Sequence, residues 1–543
     1  MLIVTRARAS LVARFVVGSL LLLPAFLAFG LVLWYPALHT LALSLQSVML
    51  ERPGRFAGLV NYLYLWHDPL FGPAVVHSIL VALARLTAGL SLPVLVGWLW
   101  ARRGPWLRLL ARLALSLGLA LSAPAGLGLL WRVASPRIPW LRGLSPGQGA
   151  HPLASYLLLE MVAFLGLGGG LAATALLSAW QRPRSGRAVW GVLALTALLA
   201  LSSGLNASSL SFVATGGGPQ GRTMTLALYA FRTAFQGRQI GYAAAQASLL
   251  LLAGLALGLL FGAISEGLRL RLIPALPTGG RWAGNGSFPC AVIALGSLLL
   301  PLGFLYLWGA AMAFLSPGDP LAHINASLQP GVAVLNGALV PILAIVLLQL
   351  PISYLAALSL ALVRPYGEWG SRAVFVLLVA SGFVPPVVTA IGLFDPLRWA
   401  HWQNTLPAFG LPLLASAASL FILKLYFSGQ ELALEQARRS GQPAANAFLR
   451  FVLRPSLPIV GLAGAVSLLL AGQDLLWPVL MLASSEYFPL SLQLVVFQSR
   501  FASNPVVLAA GAWLVLTCWG LGMLALWWPL QTLVLERLAL VAD

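Results

Sequence analysis

The sequence predicts an all-α integral membrane protein of about twelve transmembrane helices, set out as two six-helix halves related as a parallel repeat. Three observations predict it: an apolar composition, a succession of apolar runs long enough to span a bilayer, and arginines gathered mainly between those runs. Of 543 residues, 60% are hydrophobic and only 8% are charged, and the mean hydropathy is +0.91. An ordinary soluble domain is about one quarter charged. A soluble protein of this composition would have to expose mostly apolar surface.

The basic excess fits the same class. Lys and Arg number 32 against 13 Asp and Glu, and Lys424 is the sole lysine. A pI near 11.2 in a soluble protein would point to nucleic acid; arginines placed between apolar runs point to membrane topology and to no nucleic-acid partner. Cys290 and Cys518 both sit in apolar stretches without metal-ligand spacing, and read as small buried hydrophobes.

Apolar runs of ~20 residues read as spanning helices, because a span must satisfy its own backbone. Six are expected near 12–35, 74–101, 107–131, 154–180, 188–211 and 242–265, and six more near 287–315, 334–363, 371–395, 405–427, 456–482 and 506–535. Arg6, Arg8 and Arg14 precede the uninterrupted apolar stretch from Phe15 to about Tyr35, which is too long for a signal-peptide core and reads as a retained helix. With the N-terminus inside, 19 arginines fall in inside segments and 10 in outside loops. That bias places both termini in the cytoplasm.

A repeat is visible in paired landmarks. His77-Ser78-Ile79 and Asn336-Gly337-Ala338 open corresponding spans, and Ala243-Ala244-Ala245 matches Leu508-Ala509-Ala510 near the end of each half. An even number of spans between the copies makes the repeat parallel, with its axis along the membrane normal. The expected organisation is a first half over 1–272, a linker over 273–286 and a second half over 287–543.

One inside segment, 428–455, is unusually long and polar. Glu431 to Ser440 holds good helix formers. Gly441 stands where a helix end takes positive φ, and Pro443 suits the first position of a following helix. Two helices of ~10 residues are marginal alone in water and want a docking surface.

Glu435-Gln436-Ala437 followed by Gly441 resembles the EAA-x-x-x-G loop of bacterial ABC-importer permeases, with Phe448, Leu453 and Pro458 at favoured positions. Gln436 and Arg454 depart from that pattern. Elsewhere the chain is similar to the carbohydrate-uptake branch, of the maltose and glycerol-phosphate type. Pro24 and Tyr35-Pro36, Phe56, Gly58-Leu59 with Asn61-Tyr62, Asp68-Pro69, and Gly216-Gly217-Gly218-Pro219 between Thr215 and Thr223 carry the likeness in the first half, with Phe235 and Gly241-Tyr242-Ala243. Pro385-Pro386, Glu431-Leu432 and Gln473-Asp474-Leu475-Leu476-Trp477-Pro478 carry it in the second. The resemblance implies two permease halves fused in one chain. It implies ATPase coupling through Glu435, Gln436, Ala437, Gly441 and Phe448, ATP and Mg held by separate ATPase subunits, an external solute-binding protein, and the plasma membrane of a prokaryote.

The remaining chemistry is sparse. A nucleotide-binding loop needs Gly-Lys-Ser/Thr, and Lys424 lies between Leu423 and Leu425, so no cofactor is expected on this chain. No D-x-D pair or Ser/His/Asp arrangement supports a membrane-embedded enzyme. An ion-coupled twelve-helix transporter is the other rival, and it has no need of a long polar loop. Intramembrane acids usually face a cavity, so Gln473 and Asp474, with Trp477 close by, are expected to line a translocation path, the alternative for the two polar residues being an interhelical hydrogen bond. Lys424, near a span end, reads as a side chain reaching the interface, and Glu160 as one reaching the interface or contacting substrate. Between the fourth and fifth spans, Gln181 to Arg187 contains nothing like Glu-x-Ala-x-x-x-Gly, so the first half is expected to couple weakly.

Overall fold

The structure is a computed structural model and describes residues 11–50, 54–100, 119, 123–138, 151–164, 186–274, 303–316, 318–322, 324, 330–500, 504–530, 534 and 537–542. Helix α1 (Leu11–Phe29) runs through a π-helical turn, Gly30–Trp34, into α2 (Tyr35–Ser44). A short helix, α3 (Val60–His67), leads to α4 (Phe71–Trp100), then α5 (Pro124–Ala134), α6 (Pro152–Phe164) and α7 (Gly186–Leu205). The first half closes with α8 (Ser209–Ala214), α9 (Leu226–Phe235) and α10 (Ile240–Gly267).

The second half places α11 (Pro330–Ala344) and α12 (Leu350–Leu358) in one continuous helical run, then α13 (Gly367–Ser381) and α14 (Pro386–Trp399). It continues with α15 (Ala417–Arg439), α16 (Ala444–Phe448), α17 (Arg454–Ala471) and α18 (Leu476–Met481), and then α19 (Leu490–Arg500) and α20 (Pro505–Leu530).

Among the described residues seven helices are long and apolar enough to cross a membrane, and nine if each of two bent pairs counts as one span. The protein is an all-α membrane protein. The expected spans at 107–131, 154–180 and 287–315 lie partly outside the described residues. Within them are α5, α6 and an apolar helix over Gly303–Phe314.

Proline sets the fine structure of the spans. Among the described residues, complete π-helical turns cover Gly30–Trp34, Ile345–Gln349, Ser359–Val363 and Leu449–Leu453. Each is followed directly by a residue and then a proline: Pro36, Pro351, Pro365 and Pro455. A proline ring collides with the carbonyl four residues back and supplies no N–H. Widening the turn is the local answer, and the residue before each proline bonds five residues back, as Tyr35 N–H does to Gly30 O. Three of the helices therefore continue through their proline. The fourth ends at Arg364, whose φ of 53° is left-handed. The sharpest break, 84° between α13 and α14, falls at Pro385-Pro386.

The two halves meet along a glycine stripe. Gly254, Gly258 and Gly262 recur every four residues on α10 and face the α13 segment from Val376 to Phe383. A Cβ on Gly258 would lie 2.8 Å from Ala380 backbone atoms, and one on Gly262 2.9 Å from Val376. Small residues at this spacing let membrane helices approach backbone to backbone. Helices α1 and α2 also lie against the second half: Trp34 Nε1 donates to Ser381 Oγ at 2.6 Å, Thr40 Oγ1 to Val388 O at 3.0 Å, and Ser359 Oγ to Gly18 O at 2.9 Å.

The all-α expectation misses one small feature. Strand β1 (Arg271–Pro274) pairs antiparallel with β2 (Leu538–Val541), Leu272 opposite Leu540 and Pro274 opposite Leu538. The start of the expected linker, Ile273 and Pro274, is thus ordered as strand; residues 275–286 lie outside the described residues. The backbone of β1 passes against Gly429 of α15, where a Cβ would collide with Leu272 O. Cys518 is exposed on α20 rather than buried, a position lipid would cover, and Cys290 lies outside the described residues.

Candidate coupling surface and intramembrane polar sites

The segment 428–455 forms the tip of a helical hairpin. Helix α15 starts at its cap Ser416, whose hydroxyl accepts from Ser419 N–H at 3.2 Å, and runs unbroken to Arg439. Its end closes in a Schellman arrangement: Gln442 N–H bonds to Ala437 O and Gly441 N–H to Arg438 O, both at 3.1 Å. Gly441 has φ +75°, the left-handed value expected of it, and a Cβ there would meet nothing within 4 Å. The glycine is required by backbone geometry, and the space around it is open. Pro443 caps the next helix from one position outside it. Helix α16 runs through the Leu449–Leu453 π turn into α17, so the expected pair of short helices is the joined ends of two long ones.

The tip sorts cleanly into two faces. Ala437, Ala447 and Val452 are buried, and Phe448 packs on the core of the second half. Glu435, Gln436 and the residues from Arg438 to Pro443 are exposed, as is Leu432. Glu435 and Arg439 pair at 2.7 Å while 52% and 77% exposed, an i,i+4 pair worth about 0.3–0.5 kcal/mol. This pair holds little stability and leaves the carboxylate accessible. Glu431, one turn earlier, points inward and pairs with Arg364 at 2.7 Å.

The first-half counterpart, Gln181 to Arg187, lies outside the described residues except for Gly186 and Arg187.

Gln473 and Asp474 occupy the break between α17 and α18, not the interior of one span. The Asp474 carboxylate caps α18, accepting from Leu476 N–H at 3.1 Å and Trp477 N–H at 3.3 Å. Ser209 of the first half accepts from Leu475 N–H at 3.2 Å. Trp477 is buried in an apolar cluster and donates its indole N–H to Ala408 O at 3.0 Å.

The glycine turn is a built structure. Gly216 and Gly217 take φ of +60° and +78°. Thr215 Oγ1 accepts from Gly217 N–H at 3.1 Å, and Thr223 Oγ1 donates to Thr215 Oγ1 at 2.7 Å and to Gly218 O at 2.8 Å. Gly218-Pro219 is a cis peptide. Distant motif pieces meet beside it. Asp68 Oδ2 accepts from both Tyr229 and Tyr242 hydroxyls at 2.5 Å. Burial alone would raise the Asp68 pKa, but the two phenols and the Leu70 and Phe71 amides outweigh it and hold it below its ordinary value. Asn61 donates to Ser44 O at 2.8 Å and Gln46 O at 2.9 Å, anchoring the loop that carries Gly58.

Two expectations are corrected. Glu160 does not reach the interface: it is fully buried, its Oε2 accepting from Arg85 Nη2 at 2.6 Å and Nε at 2.9 Å, and its Oε1 from Tyr156 at 2.6 Å. Lys424 does not snorkel either. It pairs with Glu266 of the first half and lies 4.4 Å from the Phe375 ring centroid. In both cases a partner on another helix satisfies the charge more cheaply than stretching to water. A third polar site escaped sequence reasoning: Gln349, at the end of a π turn, donates to Ser419 Oγ at 3.0 Å and Ser467 Oγ at 2.5 Å. Its only signal was polarity within apolar spans. Among the described residues no three His, Cys, Asp or Glu converge as metal ligands.

This architecture defines a polytopic α-helical membrane protein with a solvent-exposed helical tip. No family model matches the sequence. Over part of its length it is similar to permease proteins of arabinooligosaccharide transport systems. It is 27% identical to AraQ of Bacillus subtilis over 149 residues, 27% of this chain and 53% of AraQ. It is 26% identical to AraQ of Halalkalibacterium halodurans over 174 residues, 31% of this chain and 60% of that protein. The chain thus spans between half and two thirds of the curated relatives it matches, and the resemblance to carbohydrate-transport permeases carried by its motifs agrees with them.

Proposed function

We propose that this chain is the permease subunit of an ATP-driven importer, two permease halves fused, moving a carbohydrate-like solute to the cytoplasm by alternating access. The observation that carries this reading is the tip at 428–455, where Glu435, Gln436 and Gly441 are presented in the open on a rigid hairpin whose buried face, through Ala437, Ala447 and Phe448, is anchored in the second half. The names of its relatives support the solute class. An external binding protein would deliver solute, and ATP with Mg would be held by a pair of separate ATPase subunits docked at the arginine-rich, cytoplasmic end of a prokaryotic plasma membrane protein. ATP binding, felt through the tip, supplies the differential affinity that any two-state shift requires.

Reconstitution with separate ATPase subunits and a solute-binding protein tests the reading. The chain alone is expected to hydrolyse no ATP, and the assembly to hydrolyse ATP and take up solute. Glu435→Ala and Gly441→Leu should abolish uptake with the chain still in the membrane; leucine at 441 is strained at positive φ and adds bulk where a partner approaches. Hydrolysis by the purified chain, or normal uptake by both variants, refutes the proposal.

A further inference from the structure

At the arginine-rich end, a pocket lies between the two halves and at the root of the hairpin. Residues from both halves line it: Glu266, Arg269 and Arg271 from the end of α10 and β1, and Arg364, Ser371 and Lys424 from the second half. Arg372 and Glu368 complete its charged wall. It encloses about 50 Å³, several times the ~10–15 Å³ that a single water needs. Among the described residues, five cationic side chains line this space against two carboxylates, Glu266 and Glu368. Glu431, which holds Arg364, brings the described acids of the neighbourhood to three.

Three of these cations are held by carboxylates, Lys424 by Glu266. Arg364 is fixed by Glu431 at 2.7 Å, and Arg372 by Glu368 at 2.5 Å and Glu266 at 3.7 Å. Ser371 provides a second, independent sign. Its side chain is 2% exposed and its hydroxyl has no hydrogen-bond partner. A buried hydroxyl left unpaired forfeits its solvation without recompense and calls for an acceptor. An excess of guanidinium groups with one unpaired hydroxyl donor is the complement of a phosphate oxygen cluster.

We propose that this pocket binds a phosphate group, bridging Arg269 and Arg271 of the first half to Ser371 and Arg372 of the second. Occupancy ties the end of α10 to α13 and α15, directly below the segment that carries Glu435 and Gly441. The phosphate belongs either to a soluble cytoplasmic anion or to an acidic lipid headgroup, and binding itself does not depend on the transport reading.

The test uses the full chain in nanodiscs of neutral phosphatidylcholine, titrated by calorimetry with inorganic phosphate at constant ionic strength. A parallel set of discs contains phosphatidic acid, with retained lipid per chain read by native mass spectrometry. Saturable phosphate binding in neutral discs, weakened at least tenfold in Arg269→Gln/Arg271→Gln and measurably in Ser371→Ala, supports a soluble anion. Retention of phosphatidic acid that these variants lose supports a headgroup. Should the double variant not assemble, Ser371→Ala alone decides, since it removes only an unpaired hydroxyl. Absence of binding in both discs, or binding unchanged by Ser371→Ala, overturns the proposal.

Discussion

Replacing Glu160 by leucine removes the carboxylate partner of Arg85. The carboxylate is fully buried and accepts three hydrogen bonds, two from Arg85 at 2.6 and 2.9 Å and one from Tyr156 at 2.6 Å. After the change, Arg85 keeps, among the described residues, Ser203 O at 2.8 Å and the face of the Phe164 ring, 5.7 Å from its centroid. Breaking a buried pair from one side costs about 3–5 kcal/mol, because an uncompensated charge stays behind. Arg85 retains 17% exposure, and some solvation through that opening puts the expected loss at the lower end, about 3 kcal/mol. Glu160→Gln keeps an acceptor for the guanidinium and should lose about half as much. The double variant Arg85→Met/Glu160→Leu removes both charges and should recover most of the loss, as replacing whole buried pairs often does. Unfolding midpoints in bicelles for Glu160→Leu, Arg85→Met and the double variant, each against the parent, form a double-mutant cycle. A Glu160→Leu protein within about 0.5 kcal/mol of the parent, or a double variant worse than either single one, would show that the pair does not support the fold as argued.

Three further outcomes are expected. Asp474→Ala should cost about 1 kcal/mol by losing the cap on α18, whereas Asp474→Asn should keep the cap; if Asn alone abolishes uptake at normal stability, the charge itself serves the path. Asp68 has a folded pKa below its ordinary value of 3.8. Its contribution is therefore present above that value and lost as pH falls through the depressed one, so Asp68→Asn should flatten the acid limb of a melting-temperature profile below pH ~4, and an unchanged limb would remove the phenol pair from the account. Cysteines placed at 184 and 436 should cross-link to the ATPase strongly from 436 and weakly from 184; equal, ATP-sensitive yields from both would show that the short first-half loop couples as well.

Much of the architecture is local and therefore readable. Apolar runs of spanning length mark the helices, and Gly441 announces its left-handed φ because few other residues tolerate it. The glycines at 216 and 217 do the same for their turn. Other features are written in pairs far apart in the chain, and one sequence does not show which residues pair. Arg85 and Glu160 each look like a lone charge in an apolar span until α4 and α6 are brought together. Lys424 reads as a snorkelling side chain because Glu266 lies 158 positions away. Asp474 looked embedded in a single helix since the break at Gly472 carries no proline. The π turns were legible in principle: every one precedes a residue-proline pair, yet a proline within an apolar run also fits a simple kink. The stripe of Gly254, Gly258 and Gly262 was visible as a four-residue period, but its partner on α13 was not.

The pairing of β1 with β2 has a consequence for how this chain can be cut. Pro274 and Leu538 stand opposite each other, and paired Cα atoms on adjacent strands lie only ~5 Å apart. The described helices between them thus lie in a stretch of chain closed at its neck by main-chain hydrogen bonds. If the chain were expressed as two polypeptides divided just after Pro274, the first would end in a strand and the second would bring the matching strand to meet it. Strand addition of this kind is a recognised means of joining separate chains. The fragments would thus carry a built-in splice next to Gly429, and a split-gene version of the protein should reassemble in the membrane without any engineered tag.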